Sequence, residues 1–256
     1  MKEAIPFLSD TGTIELVIDV VIAIAVILFI RSRVKAHRRS KAILKKIARS
    51  NTVTVKDLYS GYILFVDTEA TGLPKNPKLP AEADDNWPRL VQLCWIMADH
   101  DGNIINQESH IVRPDGFTIP EDAAKIHGIS TEKAMDEGRS LYDVLKAFYK
   151  DCKRARLLVG HNINFDKRVI GSEFMRLGYN DLLQYITSAD TMKLSVGYCR
   201  IRRWNGTFKY PTLQQLYRKA FHKNLSGAHD ASHDVTATME CFYKLVQKGY
   251  IRLIDK

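Results

Sequence analysis

In the stretch Phe65-Val66-Asp67-Thr68-Glu69-Ala70-Thr71-Gly72, two carboxylates stand two residues apart, after a run that is apolar from Tyr62 to Val66. Positions i and i+2 of a strand share a face, so Asp67 and Glu69 project side by side. They repel unless something positive lies between them. Further acids sit far along the chain. Asp166 ends His161-Asn162-Ile163-Asn164-Phe165-Asp166, directly after the apolar segment Leu157–Gly160, and Asp234 ends His229-Asp230-Ala231-Ser232-His233-Asp234. Each has a plain alternative. Asp67 and Glu69 suit a polar strand end, and Asp166 and Asp234 suit helix N-termini, where acids are favoured. Taken singly, the residues leave a metal site and a set of polar element ends both open.

The elements that must carry these residues follow an α/β order. Residues 62–67 read as a strand, followed by a long Pro-rich loop from Leu73 to Leu90. Residues 91–98 and 104–112 form a hairpin turning at Asp101-Gly102. A short helix opens at Pro120-Glu121-Asp122 and ends near Gly128, and residues 141–154 carry apolar side chains at helical spacing. A buried strand at 156–160 precedes a helix at 165–177 closed by Gly178. A strand at 186–191 and helices at 212–221 and 231–248 complete the order. Strands first, then helices interleaved with strands, predict a mixed sheet covered on both faces.

The three blocks D-T-E-x-T-G, N-x-x-F-D and H-x-A-x-x-D, in this order, resemble those of the DEDDh branch of the 3′–5′ exonuclease superfamily. That branch includes polymerase proofreading subunits, ribonuclease T and oligoribonuclease. Secondary matches are Ile126-His127-Gly128-Ile129, Asp190-Thr191, and Leu213 with Leu216; the resemblance spans about residues 60–247. It implies an RNase H-like α/β/α fold around a mixed five-stranded sheet. It also implies hydrolysis of phosphodiester bonds at nucleic-acid 3′ ends, DNA favoured over RNA, with release of nucleoside 5′-monophosphates. Two divalent cations, Mg²⁺ or Mn²⁺, would offset charge on the attacking and leaving oxygens. By this resemblance Asp67 bridges both metals, Glu69 and Asp234 complete one site, and Asp166 holds the other. His229 is the general base, because histidine titrates near working pH. His233 is the rival, but neighbours on a helix face different ways, whereas His229 precedes the helix and keeps the family's offset. Asp230 is expected to serve the helix N-terminus. Thr68, Thr71, Gly72, Leu73 and Phe165 are the implied substrate contacts, Leu73 as a wedge and Phe165 as a stacking ring. For His127 and His161 a packing role is as good as a site role. The basic, aromatic segment Tyr198–Trp204 is a further candidate strand contact. The alternative function is a membrane-tethered nucleic-acid-binding module of the same fold without turnover.

The chain has 256 residues and a net charge of +9, but its basicity is local. Residues 31–56 carry +10, residues 1–30 carry −3, and residues 57–256 only +2. The four cysteines are scattered with no C-x-x-C pair, as in a reducing compartment, though a disulfide stays open. Residues 20–30 are uninterruptedly apolar, and extending back to Ile14 makes a helix of about 25 Å. A cleaved signal peptide lacks its basic start and cleavage site. A helix packed on the body is a second reading. A single-pass anchor fits best, with Arg31 and the basic block on the cytoplasmic side. The expected divisions are therefore an extension at 1–12, a transmembrane helix at 13–31, a basic juxtamembrane helix at 32–56 and an exonuclease domain at 57–256. The anchor places the protein in the cell membrane with its catalytic domain cytoplasmic. It also implies membrane contact through 14–30 and anionic-lipid contact through 31–49.

Overall fold

The computed structural model describes residues 11–226 and 230–256. The chain divides into two units, residues 11–46 with Arg202–Phe208, and Ile47–Ile201 with Lys209–Lys256. The first unit holds most of helix α1 (Thr11–Ser50) and a turn closed by an antiparallel bridge between Arg202 and Phe208. The Ser40 hydroxyl donates to the Gly206 carbonyl of that turn.

Among the described residues, no helix is long and apolar enough to cross a membrane. The uninterrupted apolar stretch of α1, Val20–Ile30, gives only about 16 Å of helix against a hydrocarbon core of ~30 Å. Asp19 and Arg31 bound it. This overturns the expected transmembrane helix at 13–31, the membrane contact of 14–30 and the cell-membrane localisation. The anionic-lipid role of 31–49 rested on that anchor and is withdrawn with it.

The second unit opens with β1 (Thr52–Val55), a strand where the sequence suggests the end of a linker helix. The main sheet contains β2 (Tyr62–Ala70), β3 (Leu90–Ala98), β4 (Ile104–Ile111), β5 (Ala155–Gly160) and β6 (Ser188–Asp190), in the order β4-β3-β2-β5-β6. The β2–β3 and β3–β4 pairs are antiparallel, and β2–β5 and β5–β6 are parallel. The sheet is therefore mixed and five-stranded. Separately, β7 (Arg252–Asp255) pairs in parallel with β1.

The helices of this unit are α2 (Glu121–His127), α3 (Thr131–Glu137), α4 (Leu141–Cys152), α5 (Ile163–Arg176), α6 (Thr191–Leu194), α7 (Val196–Cys199), α8 (Leu213–Phe221) and α9 (Ala231–Gln247). Local chemistry starts several of them. Ser130 caps α3, Ser140 caps α4, and Thr212 with Gln215 forms a capping box on α8. The β2 run Ile63–Val66 is apolar throughout because both its faces are buried. Ile63 and Phe65 pack with Val159 and with Val235, Phe242 and Leu245 of α9. Leu64 and Val66 pack with Leu145 and Phe148 of α4 and Ile170 of α5. α9 thus covers one face of the sheet, and α4 and α5 cover the other. All four cysteines are unpaired thiols.

Candidate active site

The alternation of β2 decides which way its acids point. Asp67 and Glu69 continue the face of Ile63 and Phe65, toward α9, whose first turn carries Asp234. Thr68 continues the opposite face, toward α5, where its hydroxyl donates to Asp166 Oδ1 at 2.8 Å. The last β2–β5 pair is Phe65↔Val159, so Asp67 to Ala70 run on past the end of β5 while still paired to β3. That open flank lies at the carboxyl ends of two neighbouring parallel strands, where the sheet changes from antiparallel to parallel order. α/β sheets place their ligand sites there.

The turn from β5 into α5 sets Asp166 at this flank. A Cβ on Gly160 would lie 2.8 Å from Ile163 Cδ1 and 3.2 Å from the Val66 carbonyl, so only glycine lets β5 end this close to the helix. Asn162 adopts a left-handed conformation (φ 77°) as the N-cap residue, and its N–H donates to Asp190 Oδ1 at 3.0 Å. The same Asp190 oxygen caps α6 by accepting from the Met192 amide at 3.0 Å. His161 bridges the strand end to the chain before α8, with Nε2 3.1 Å from the Pro211 carbonyl and Nδ1 3.0 Å from Thr191 Oγ1. Burial lowers its pKa, against the opposing pull of the Pro211 carbonyl and Asp190. The bridging function of Asp190 is not legible from its own position in the sequence; only the paired Asp190-Thr191 hints at it.

Electrostatically the site opposes its own charge. Burial, then Asp166, Asp234 and Glu69, hold the Asp67 carboxyl well above the usual range. Glu69 is pushed up to about 8 by burial, then by Asp234, Asp166 and Asp230. Asp166 is raised by burial, and the hydrogen bond from Thr68 partly opposes that rise. Cys94, the register partner of Asp67 across the β2–β3 pair, is a buried thiol pushed up to about 12 and not a thiolate ligand. Among the described residues, no three of the His, Cys, Asp and Glu side chains lie close enough to hold one ion as they stand. The fit to a metal is therefore one of donor chemistry. Hard oxygen donors converge from β2, α5 and α9, and the leading influences on Asp67 and Glu69 all disfavour charge, which a divalent cation reverses.

The remaining expected residues divide. His229 lies outside the described residues. Asp230 is the N-cap of α9 and accepts from the Ser232 amide at 2.9 Å, while His233 is exposed and 3.3 Å from Asp230. The Thr71 amide donates to the Arg89 carbonyl and the Thr71 hydroxyl accepts from the Arg89 amide, each at 2.9 Å, closing the neck of the 73–88 loop. Gly72, at φ 150°, turns the chain out of the strand. Leu73 is 86% exposed. Thr68, Glu69, Gly72, Leu73, His127 and Phe165 line a cavity of about 550 Å³ at the site's edge. His127 accepts from the Ile129 amide through Nδ1, at 3.2 Å. The segment 198–204 falls across the two units, and Trp204 in the first is fully exposed.

Residues 64–242 match the family model described as Exonuclease (RNase T). The chain belongs to this family, within the DEDD-type 3′–5′ exonuclease superfamily, and carries its exonuclease domain. Members of that superfamily use divalent metal ions. The chain is 27% identical over 194 residues to the PolC-type DNA polymerase III of Lacticaseibacillus paracasei, covering 76% of this chain and 12% of that protein. It is 29% identical over 140 residues to the DNA polymerase III subunit epsilon of Buchnera aphidicola subsp. Schizaphis graminum, covering 52% of this chain and 54% of that subunit. It thus spans about an eighth of the first relative and about half of the second. The fold is similar to that of E. coli Exonuclease I in complex with a dA16 oligonucleotide, with a TM-score of 0.59 and 24% identity, covering 73% of this chain and 41% of that one.

Proposed function

We propose that this protein is a metal-dependent 3′–5′ exonuclease of the DEDDh type, acting on single-stranded 3′ ends with DNA favoured. The observation that carries this reading is the convergence of Asp67, Glu69, Asp166 and Asp234, from three elements, on the open flank of β2. Asp67, Glu69 and Asp234 with Asp166 would hold two divalent cations, Mg²⁺ or Mn²⁺. When bound, these supply Lewis-acid stabilisation of the charge developing at the phosphate. His229 takes the proton of the attacking water. The new bond forms from the water oxygen to phosphorus. The bond to the 3′ oxygen of the preceding nucleotide breaks, and that oxygen leaves with a proton as a 3′-hydroxyl. The products are a nucleoside 5′-monophosphate and a strand shorter by one residue. Gly72, Leu73 and Phe165 line the cavity that receives the terminal nucleotide, while Thr68 orients Asp166. The nucleic-acid polymerases among the relatives and the oligonucleotide-bound exonuclease support DNA as the polymer.

The test is a 3′-end-labelled panel of single-stranded DNA, duplex DNA and RNA, incubated with the full chain while Mg²⁺ or Mn²⁺ is titrated. Labelled mononucleotide is expected from single-stranded DNA, and Asp67→Ala is expected to lose at least about 10³-fold in rate. Binding without release of mononucleotide, or an Asp67→Ala variant as active as the parent, overturns the reading.

A further inference from the structure

Charge is divided unevenly along this chain. Residues 57–256 carry only +2, and without Arg202 and Arg203 that region is neutral. Its carboxylate site is acidic besides, so this region has little with which to hold a polyanion. Residues 31–46 of α1, in contrast, hold eight Lys and Arg and no acid. The first unit joins this part of α1 to the turn that carries Arg202 and Arg203.

The turn is seated on the helix by small residues. Gly206 is buried at φ 77°, and a Cβ there would lie 3.0 Å from Ala36 Cβ and 3.3 Å from the Ala36 carbonyl, so the close approach requires glycine. One helical turn on from Ala36, the buried Ser40 hydroxyl donates to the Gly206 carbonyl. The turn is also closed internally. The Arg203 amide donates to the Thr207 carbonyl at 2.8 Å, and Asn205 Oδ1 accepts from the Thr207 amide at 3.1 Å and from its hydroxyl at 2.6 Å. At the apex of this fixed turn stands Trp204, 99% exposed, directly after the two arginines. An indole face held out in water beside guanidinium groups is the pairing that single-stranded nucleic acid uses, a ring for a base and cations for phosphates.

α1 extends the same chemistry. At about 100° per residue, Arg33 and Arg39 flank the face that Ala36 and Ser40 give to the turn, and Arg38, Lys41 and Lys45 fall on the opposite side. All five are exposed. Charge thus surrounds residues 31–46 and leaves them no apolar stripe of the kind that lies in a lipid interface. A flat anionic surface would meet one side of this helix, whereas a flexible strand follows several.

We infer that residues 31–46 and the 202–208 turn form a single-strand binding surface distinct from the carboxylate site, with Trp204 stacked on a base and the arginines and lysines paired to phosphates. The inference rests on the exonuclease reading only for the identity of the strand: the segment held is the interior of the strand whose 3′ end is cut. The turn is rooted in the second unit, where the Lys209 amide donates to the Ile201 carbonyl at 2.9 Å and the Pro211 carbonyl lies 3.1 Å from His161 Nε2.

The test measures binding of a fluorescein-labelled deoxythymidine 20-mer to the full chain by anisotropy, across a salt titration, in chelator so that the strand stays intact. Trp204→Ala, at a fully exposed position, is expected to weaken binding about tenfold with the salt slope unchanged, and Trp204→Phe to recover most of that loss. Arg33→Ala combined with Arg39→Ala is expected to lower the slope by about 1.4, the value for two single-strand phosphate contacts. Equal affinities of the wild type and Trp204→Ala, or a slope unchanged in the double arginine variant, overturn the inference. Sedimentation with phosphatidylserine vesicles but no binding of the 20-mer assigns the surface to anionic lipid and also overturns it. Salt-dependent binding that responds to these variants, with no cleavage once Mg²⁺ or Mn²⁺ is added, overturns the exonuclease reading and leaves the surface standing. Cleavage without measurable binding in chelator does the reverse.

Discussion

Thr68 shows how much one hydroxyl does at this site. It is buried between Asp67 and Glu69, faces the other way, and holds Asp166 in place through its hydroxyl. Thr68→Val keeps the shape and removes the donor. Apparent Mn²⁺ affinity is expected to fall about 10- to 100-fold by calorimetry, with the rate at saturating metal much closer to wild type. The carboxylates also predict a pH response of the metal-free protein. Burial and the neighbouring acids push Glu69 up to about 8 in the folded chain, against ~4.3 when unfolded, and raise Asp67 in the same direction. The folded state then binds more protons than the unfolded state between those values, so stability is full below about pH 4 and is lost as pH rises through 8. Thermal melts in chelator should fall in midpoint from pH 5 to pH 8.5. Added Mg²⁺ or Mn²⁺ should raise the midpoint most at the alkaline end, and Glu69→Gln should flatten the slope.

At the scale of elements, α5 ties together two regions that the reaction needs in register. Its first turn presents Asp166, and about two turns later Glu173 accepts from Arg89, Arg176 and the Leu90 amide. Arg89 also lies over the Phe117 ring at 4.2 Å, which fixes its plane. Glu173→Ala would leave two partly buried guanidinium groups and a buried amide without their shared acceptor. A loss of about 3 kcal/mol in urea unfolding is expected, and a smaller one for Glu173→Gln. Because the same bonds anchor the 73–88 loop, KM for oligonucleotides should rise in Glu173→Gln even where the protein remains folded.

At the scale of the whole second unit, the first and last strands close on each other. Thr52 pairs with Arg252 and Val55 with Asp255, while Ile251 is fully buried against the core of α9. Asn51 Nδ2 adds bonds to the Leu194 and Tyr250 carbonyls at 2.8 and 2.7 Å. Removing residues 251–256 would unpair β1 and empty the Ile251 site. A fall of about 5 °C or more in the unfolding midpoint is expected, as for the loss of one large buried side chain together with a strand pair. The carboxylates, carried by β2, α5 and α9 and not by the β1–β7 pair, should keep their metal affinity below the new midpoint.

The sequence by itself determined the sheet strands near Asp67, the helices that begin near Asp166 and Asp234, and the acidic character of their junction. These rest on local signals: apolar period, Gly and Pro punctuation, and the i, i+2 geometry of a strand. It also suggested a membrane anchor, which 11 apolar residues cannot supply. Only the tertiary structure decided how the acids are arranged, with Asp67 and Glu69 on the α9 face and Thr68 reaching to Asp166 on the other. It alone paired β1 with β7, two strands about 200 residues apart, and it alone joined Arg89 to Glu173, 84 residues away. In the sequence Glu173 is indistinguishable from a solvent-facing helical glutamate, and α3 has too little apolar periodicity to announce itself. The reason is common to all of these. Periodicity reports which face a residue turns to the core. Which partner waits there depends on how distant segments pack.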